Sequence, residues 1–335
     1  MPRALIVHPG ALGDVLLALP ALGYLAQLVS GLQRTVAAAP RLAALLTGSG
    51  YAESTVPLDD LALGGLFTPE PDPALLRRLG GYDLIVSWFG AGDATYRAHL
   101  EGLGPRVVIA RAAPPPGATR HASRHLIETL APLGPLPAGV PAARLGVGDT
   151  ERGWARDWLA GRGLALQEPV AVHPGAGSPA KTWPGYPALL RRLRAAGVPV
   201  VVTTGPADAV VAAWLAAEAD LAGVVVAVDP SPRQLVALLA AARAFVGNDS
   251  GPTHAAAAVG CPTLALFGPS DPAVWRPLGT RVTVLAGARP GAPDPWSGLT
   301  VDRVAAALAA TVPGGLHPPL APLRVGGVGG EGGPA

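Results

Sequence analysis

Short apolar runs and longer amphipathic or alanine-rich segments alternate along most of the chain, and glycine or proline separates them. Apolar runs bounded in this way are typical of buried strands in a parallel sheet, and the longer segments between them are typical of helices. The pattern predicts strands at Ala4–Val7, Thr35–Ala38, Leu84–Trp88, Arg106–Ile109, Val170–His173, Val198–Thr203, Val224–Val228, Ala244–Gly247, Pro262–Phe267 and Val282–Ala286.

The segments between these strands predict helices, and capping residues indicate where several of them start or stop. Ser231 followed by Pro232 favours a helix start, and Gly260 ends the alanine-rich segment that Asp249 or Ser250 can cap. Residues 271–277 are predicted to form a loop. Helices are predicted to begin near Val15 and at Pro184, to end near Ala219, and to cover Arg41–Leu46, Ala94–Leu103, His121–Leu130, Thr150–Ala160, Ser231–Ala242 and Val301–Ala310.

Repeated strand–helix units on both sides of a segment rich in proline and glycine predict two domains. Each is expected to be a doubly wound, Rossmann-like α/β domain, with the two sheets facing each other across a cleft. The 335 residues, half of them apolar, suffice for two hydrophobic cores. The predicted parts are a first domain at 1–135, a linker at 136–148, a second domain at 149–315 and a flexible tail at 316–335.

Three loops with unusual residues follow predicted strands, namely Gly10–Asp14, Gly175–Lys181 and Asp249–His254. In open α/β sheets this edge binds ligands, and a helix that begins there directs free N–H groups towards an anion. One such loop alone indicates ordinary capping, whereas three at one edge indicate a phosphate-binding cleft. The first loop has the spacing G-x-x-G-D rather than G-x-G-x-x-G, which argues against a nicotinamide cofactor.

Two charged residues in these loops are candidates for chemistry. Lys181 is the only lysine in the chain, and a compact ammonium on a flexible stem suits a phosphate in a tight site. The alternative is an incidental surface lysine. Asp14 stands at a predicted helix start, where it is either a helix cap or a carboxylate at the mouth of the sheet. Spacing alone leaves both interpretations of Asp14 open.

Composition narrows the class of protein. A formal net charge of +2, without basic runs interleaved with aromatic residues, argues against a nucleic-acid partner. Cys261 is the single cysteine, which excludes an internal disulfide and a thiolate metal cluster and suits a reducing cytoplasm. Neither a leader peptide nor a transmembrane helix is predicted. We therefore expect a cytoplasmic protein, with peripheral contact at the inner face of a membrane left open.

The segments HPGALGDVLLALPAL, HPGAGSPAKTWP, TTGPAD and GNDSGPTHAAAAVGCPTLALFGPSDPAVWRP stand in this order along the chain. In order and spacing they resemble glycosyltransferase family 9, the heptosyltransferase-like enzymes with the two-domain GT-B fold, and the resemblance extends to about Val312. It implies that a sugar is transferred, with inversion at the anomeric carbon, from a nucleotide-sugar donor, typically ADP-heptose, to a sugar acceptor. The acceptor expected here is a cell-surface glycan or a lipopolysaccharide-type acceptor. The only small-molecule partner expected beside the acceptor is the nucleotide-sugar co-substrate, with no cofactor. No metal is expected either, because a lysine and N–H groups can meet the charge of the leaving group and no Asp-x-Asp pair stands at a predicted strand end.

The resemblance also implies roles for individual residues. Asp14 corresponds to the general base that deprotonates the acceptor hydroxyl, Lys181 to the lysine at the donor phosphates, and Asp249 to the acidic position associated with the donor sugar. The first domain then faces the acceptor and the second binds the nucleotide sugar. Further implied donor-binding residues are Gly175, Gly177, Asp208, Ser250, Gly251 and His254, and the weaker acceptor-side candidates are Gly13, Arg97, Arg120, His121 and Arg124.

Several alternatives stay open at this level. Ala207 stands where the family carries a glutamate that contacts the nucleoside, so ADP and heptose are both in doubt, and Asp208 either takes a related role or caps its helix. The basic cluster around His121 is either a solvated helix face or part of the cleft. A GT-B nucleotide-sugar epimerase would act without an acceptor. A non-catalytic sugar-nucleotide-binding or scaffold protein would tolerate Asp14→Asn.

Overall fold

The computed structural model describes residues 1–104, 106–165, 168–218, 221, 224–316 and 320, and it contains two parallel sheets. The first sheet has the order β3-β2-β1-β4-β5 and the second the order β11-β10-β9-β6-β7-β8. Their strands are β1 (Arg3–Val7), β2 (Gln33–Ala38), β3 (Ser54–Pro57), β4 (Leu84–Ser87), β5 (Arg106–Ile109), β6 (Val170–His173), β7 (Val200–Thr204), β8 (Val225–Val228), β9 (Ala244–Asn248), β10 (Thr263–Phe267) and β11 (Val282–Ala286).

Helices connect the strands, with short 3-10 turns at Leu58–Leu61, Leu63–Phe67, Ala131–Leu133 and Pro179–Lys181. The helices are α1 (Leu12–Leu28), α2 (Pro40–Leu46), α3 (Pro73–Leu79), α4 (Ala94–Glu101), α5 (Ala122–Glu128), α6 (Asp149–Ala160), α7 (Tyr186–Ala195), α8 (Ala209–Ala217), α9 (Pro232–Ala240), α10 (Gly251–Ala258), α11 (Pro272–Trp275) and α12 (Val301–Thr311).

Both sheets have doubly wound topology, which confirms the predicted fold class. In each, the chain starts in the middle, winds to one edge and returns to continue on the other side. The strand order therefore reverses between β1 and β4 in the first sheet and between β6 and β9 in the second. Ligands of such sheets bind outside the carboxyl ends of the strands at this point of reversal. The topology alone therefore selects the loops after β1, β4, β6 and β9 as the place to look for a site.

Several predicted boundaries are wrong by a few residues. Helix α1 begins at Leu12 rather than near Val15, because Asp14 lies in its first turn and accepts a hydrogen bond from the Ala11 N–H. Helix α7 begins two residues later than predicted, and the predicted loop at 271–277 contains α11. Helix α5 begins after His121, which caps it. The predicted end of α8 near Ala219 lies outside the described residues.

One apolar core runs through both halves of the chain. It joins residues of α1, such as Leu16 and Leu19, with residues of α10, such as Ala255, and with Leu145 of the predicted linker. The core continues across the predicted linker and therefore marks no domain boundary there. The predicted boundaries at 135, 148 and 315 stay predictions. Most of the predicted tail, at 317–319 and 321–335, lies outside the described residues. Within the described ranges, none of the helices has the length and apolar character needed to cross a membrane.

Candidate active site

The starts of α1 and α10 meet at the centre of the interface between the two sheets. A Cβ atom placed on Gly251 would lie 2.8 Å from Leu12 Cβ and 3.2 Å from the Gly13 N atom. A Cβ on Gly13 would lie 3.3 Å from the His254 ring. Because the positive end of a helix dipole lies at its N-terminus, two positive helix ends from different sheets face the same space. Such an arrangement can bind an anion.

Asp14 is the third residue of α1 and its side chain is exposed. One carboxylate oxygen accepts a hydrogen bond of 3.0 Å from the Ala11 N–H, so the carboxylate caps the helix. Gly10 allows the turn to close around it, since a Cβ there would lie 2.5 Å from Asp14 Cβ and 2.6 Å from the His8 ring. The helix-cap interpretation of Asp14 is therefore correct. It does not exclude a chemical role, because the carboxylate side chain stays exposed to solvent.

Lys181 and Asp249 form an ion pair in the second domain. Lys181 Nζ lies 2.8 Å from Asp249 Oδ2, and His254 Nε2 lies 3.6 Å from Asp249 Oδ1. Burial alone would raise the pKa of Asp249, but the neighbouring His254 ring and the Lys181 ammonium outweigh it and lower the pKa to about 2. Asp249 is therefore an anion at every physiological pH. Its charge holds the half-exposed Lys181 ammonium beside the start of α10.

The residues that begin α10 are arranged by local hydrogen bonds. Ser250 is the N-cap residue, but its side chain does not cap the helix and lies 3.5 Å from the Thr253 hydroxyl. The Thr253 hydroxyl in turn donates to the Asn248 carbonyl. Asn248 is fully buried, and its amide donates to the carbonyls of Pro174 and Gly175. Asn248 thus ties the loop after β6 to the end of β9, so that Lys181 and α10 stay adjacent.

Asp208 lies beneath the loop after β6. The residue is 6% exposed, its carboxylate accepts from the Gly205 N–H at 2.7 Å, and it lies 3.4 Å from the ring of buried His173. Burial lowers the pKa of His173, although Asp208 opposes this effect. A Cβ on Gly175 would lie only 2.0 Å from Asp208 Oδ1. The structure therefore places Asp208 and Gly175 in one buried contact that joins two loops. Gly177 is in open space and Ala207 is exposed.

The acceptor-side candidates from the sequence are mostly held by neighbouring groups. Arg97 pairs with Glu101, and Arg120 and Arg124 share Glu128. His121 is different, because its Nε2 lies 2.8 Å from the Arg276 carbonyl of the second domain. Its Nδ1 accepts from the Ser123 N–H, so Nε2 carries the proton and donates. Burial lowers the pKa of His121. Of these candidates, His121 and Gly13 touch the other domain.

His8 was not predicted as a site residue, although it follows β1 directly. Its ring is buried, lies edge-on to Trp88 with centroids 5.5 Å apart, and accepts from the Gly10 N–H through Nδ1. Burial lowers the pKa of His8 to about 4, although the charge of Asp14 opposes this. The ring is therefore neutral at pH 7. A histidine at the end of a strand, beside a glycine turn, could have indicated this position.

A pocket of about 480 Å³ lies in the first domain, between the loops after β4 and β5. Trp88, Phe89, Arg111 and residues 114–116, all prolines, are among the residues that line it. Arg111 is exposed, and its guanidinium makes no ion pair with any residue in the part of the chain that the structure describes. Aromatic, proline and arginine side chains together suit a sugar with an anionic group. The sequence interpretation did not include Arg111.

Comparisons with known proteins agree with this architecture. Residues 122–296 match the model of glycosyltransferase family 9 (heptosyltransferase). A stretch of 135 residues is 37% identical to lipopolysaccharide heptosyltransferase 2 of Salmonella typhimurium (strain LT2), covering 36% of this chain and 37% of that protein. A stretch of 116 residues is 35% identical to lipopolysaccharide heptosyltransferase 3 of Escherichia coli, covering 33% and 34%. The matched stretches thus span about a third of these two relatives.

The fold comparison covers nearly the whole chain. The solved structure of Escherichia coli ADP-heptose lps heptosyltransferase II superposes with a TM-score of 0.72 at 23% identity, covering 92% of this chain and 98% of that one. At this identity the likeness establishes the fold, which is GT-B, as the sequence predicted.

Proposed function

The chain belongs to glycosyltransferase family 9, and on that premise we propose that it transfers a sugar from a nucleoside diphosphate donor to a glycan acceptor with inversion at the anomeric carbon. One observation carries the proposal. The start of α1 with Asp14 and the start of α10 with Lys181 meet across the interface, with Gly13 against Gly251. An inverting transfer needs a base on one side of the anomeric carbon and positive charge on the other.

The proposed reaction assigns each group one task. Asp14 removes the proton from the acceptor hydroxyl, whose oxygen forms a bond to the anomeric carbon. The bond from that carbon to the donor diphosphate breaks, and its electron pair leaves with the diphosphate. Lys181 and the N–H groups that begin α10 stabilise the charge that develops there. Because these groups already supply positive charge, the proposed transfer needs no metal and no cofactor.

For the donor we propose an ADP-linked heptose or a related sugar. The support is the structural relative, which is an ADP-heptose lps heptosyltransferase. Ala207, at the position of the family's glutamate, leaves the identity of the nucleoside and of the sugar open, because it has no carboxylate to contact a nucleoside. For the acceptor we propose a cell-surface glycan of lipopolysaccharide type, bound in the pocket that Arg111 and Phe89 line. We place the reaction in the cytoplasm, at the inner face of the membrane.

Calorimetric titration with ADP, UDP, GDP and TDP tests the donor site. We expect one nucleotide to bind selectively and Lys181→Ala to weaken it by about tenfold or more, because a charge-assisted contact is lost. Removing Lys181 also leaves Asp249 without its cation. The double variant Lys181→Ala/Asp249→Asn is the matched control, since it removes both charges. If none of the four nucleotides binds, the proposal is wrong and a scaffold role is favoured.

Asp14→Asn tests the base. The amide oxygen of asparagine can still accept from the Ala11 N–H, so the start of α1 is preserved while the basic group is lost. We expect donor affinity to be unchanged and turnover to fall by about two orders of magnitude or more. Equal turnover would contradict the role of Asp14. Product formed from the donor without any acceptor would instead indicate an epimerase.

A further inference from the structure

Arg41 and Asp229 form an ion pair that joins the two domains beside the cleft. Arg41 lies in the first turn of α2, and Asp229 directly follows β8. The guanidinium makes two contacts with the carboxylate, at 2.7 and 3.1 Å, and a third with the Pro230 carbonyl at 3.2 Å. The two side chains are 46% and 45% exposed. Solvent and a ligand can therefore reach this pair.

The backbone at Asp229 has an uncommon conformation. Its φ is +42°, in the left-handed region, although its N–H still continues the sheet by bonding to the Thr204 carbonyl. Aspartate tolerates this region better than most residues, but the conformation has a cost and is often found at functional sites. The turn places the carboxylate of Asp229 at the carboxyl edge of β8.

This edge continues the donor side of the cleft. The sheet order places β8 two strands from β6, which leads to the Lys181 loop, so the two strand ends are about 10 Å apart. A nucleoside attached to a diphosphate at Lys181 can span such a distance. Val210 and Val228 are among the most exposed large apolar side chains, at 79% and 70%, and stand at the neighbouring ends of α8 and β8. Exposed apolar side chains there suit the face of a base.

The aspartates that follow β7, β8 and β9 differ in their exposure to solvent. Asp249 is buried and paired with Lys181, and Asp208 is buried against His173. Asp229 is the one with an exposed carboxylate whose partner comes from the other domain. In dinucleotide-binding doubly wound domains a carboxylate accepts hydrogen bonds from ribose hydroxyls, and Asp229 offers such a carboxylate two strands from β6.

We propose that Asp229 binds the ribose hydroxyls of the donor and that Arg41 occupies its carboxylate until the donor arrives. The inference rests on the proposed function. It adds Asp229 to the donor site, and it adds a competition between Arg41 and the ribose for the Asp229 carboxylate. A half-exposed ion pair contributes little net stability, so the ribose can displace Arg41 at small cost. Donor binding then releases one contact between the domains, which links occupancy of the nucleoside site to the interface.

The first test measures discrimination between riboses. The free protein is titrated with ADP and with 2′,3′-dideoxy-ADP, or with the matching pair for whichever nucleotide it binds. We expect the unmodified protein to prefer the ribonucleotide by about tenfold or more, since hydrogen bonds to a charged group are lost in the analogue. Asp229→Asn, which tolerates the left-handed backbone, should reduce that preference to about threefold or less. Lys181→Ala should weaken both ligands equally.

The second test measures the competition. Arg41→Gln should bind the ribonucleotide about two- to fivefold more tightly, because the carboxylate is no longer occupied. Arg233→Gln is the matched control. Arg233 crosses the same interface to the carbonyls of Ala44 and Thr47 at the end of α2, and its ion pair is with Glu151 rather than with Asp229. Its substitution should leave nucleotide affinity unchanged.

The outcomes separate the two proposals. If no nucleotide binds, the donor site itself is wrong and this inference is wrong with it. If a nucleotide binds and Asp229→Asn keeps the full ribose preference, the proposed function stands and the role of Asp229 is overturned. Weaker binding by Arg41→Gln would overturn the competition, because it would show that Arg41 helps to hold the donor.

Discussion

Gly13 at the start of α1 packs directly on Gly251 at the start of α10, with a Gly13 Cβ position only 3.5 Å from Gly251 Cα. Neither residue has a positive φ. At Gly251, where a Cβ would lie 2.8 Å from Leu12 Cβ, glycine is required by the close approach of the two helices and not by backbone conformation. This contact brings the proposed base and the proposed phosphate site to the two sides of one space, and it is the basis of the first prediction.

Gly251→Ala should loosen the interface between the domains. Its Cβ would lie 2.8 Å from Leu12 Cβ, too close for an unstrained contact. Alanine does not disfavour a helix, so the effect should arise from overpacking and lower the free energy of unfolding by about 1–3 kcal/mol. Chemical denaturation measures this. Gly139→Ala, where nothing lies within 4 Å, is the control and should be neutral. Equal stability of both variants would show that α1 and α10 do not touch in solution.

Gly175→Ala and Asp208→Ala should be strongly non-additive. The Cβ of the first would lie 2.0 Å from Asp208 Oδ1, so the carboxylate must move. Removing Asp208 leaves the Gly205 N–H and His173 Nε2 without the carboxylate they face, although His173 Nδ1 keeps the Thr203 hydroxyl, and should cost about 1–3 kcal/mol. In the double variant the overlap is gone. We therefore expect it to lose at least about 0.5 kcal/mol less unfolding free energy than the two single variants lose in sum. Gly177→Ala in the same loop is the control and should leave stability unchanged. If the losses of the two single variants simply add in the double variant, the contact between Gly175 and Asp208 is contradicted.

Asp249 should contribute to the loss of stability below about pH 4. Its pKa in the folded protein is about 2, below its ordinary value of 3.8. The unfolded chain therefore binds a proton first as the pH falls, so stability is present above about pH 4 and is lost as the pH falls through 2. We expect Asp249→Asn to remove about 2 kcal/mol from the difference in free energy of unfolding between pH 5 and pH 2. Identical pH profiles for the two proteins would exclude the pKa shift.

Protonation linked to His8 should lower the free energy of unfolding at higher pH than the effect of Asp249. Its pKa in the folded protein is about 4, below its ordinary value of 6.5, so the folded state keeps the ring neutral while the unfolded chain binds a proton. Stability is then present above pH 6.5 and decreases by about 3 kcal/mol between pH 7 and pH 4. His8→Gln, which keeps an acceptor for the Gly10 N–H, should flatten this part of the profile. Titration of the His8 ring by NMR gives an independent check, and a pKa near 6.5 would contradict burial.

Local patterns predicted most of the fold. Strands β5 and β11 were predicted to the residue, because each is a short run of β-branched residues with clear ends. Ser231 and Pro232 correctly marked the start of α9. Strand β3 was missed because it is a half-exposed edge strand without an apolar run. Helices α3 and α11 were missed although Asp-Pro pairs at Asp72 and Asp271 cap both, a pattern that could have found them.

The sequence by itself determined the fold class, the family resemblance and the loops that carry Asp14, Lys181 and Asp249, because strand periodicity, helix caps and motif spacing are local properties. Only the tertiary structure decided which groups meet. Arg41 and Asp229 are 188 residues apart and pair across two domains, and Asp208 is buried beneath Gly175 rather than exposed. Such contacts depend on how two sheets pack, and no local pattern encodes that distance. Burial then sets the pKa values of His8 and Asp249, because the dielectric and the neighbouring charges exist only in the folded protein.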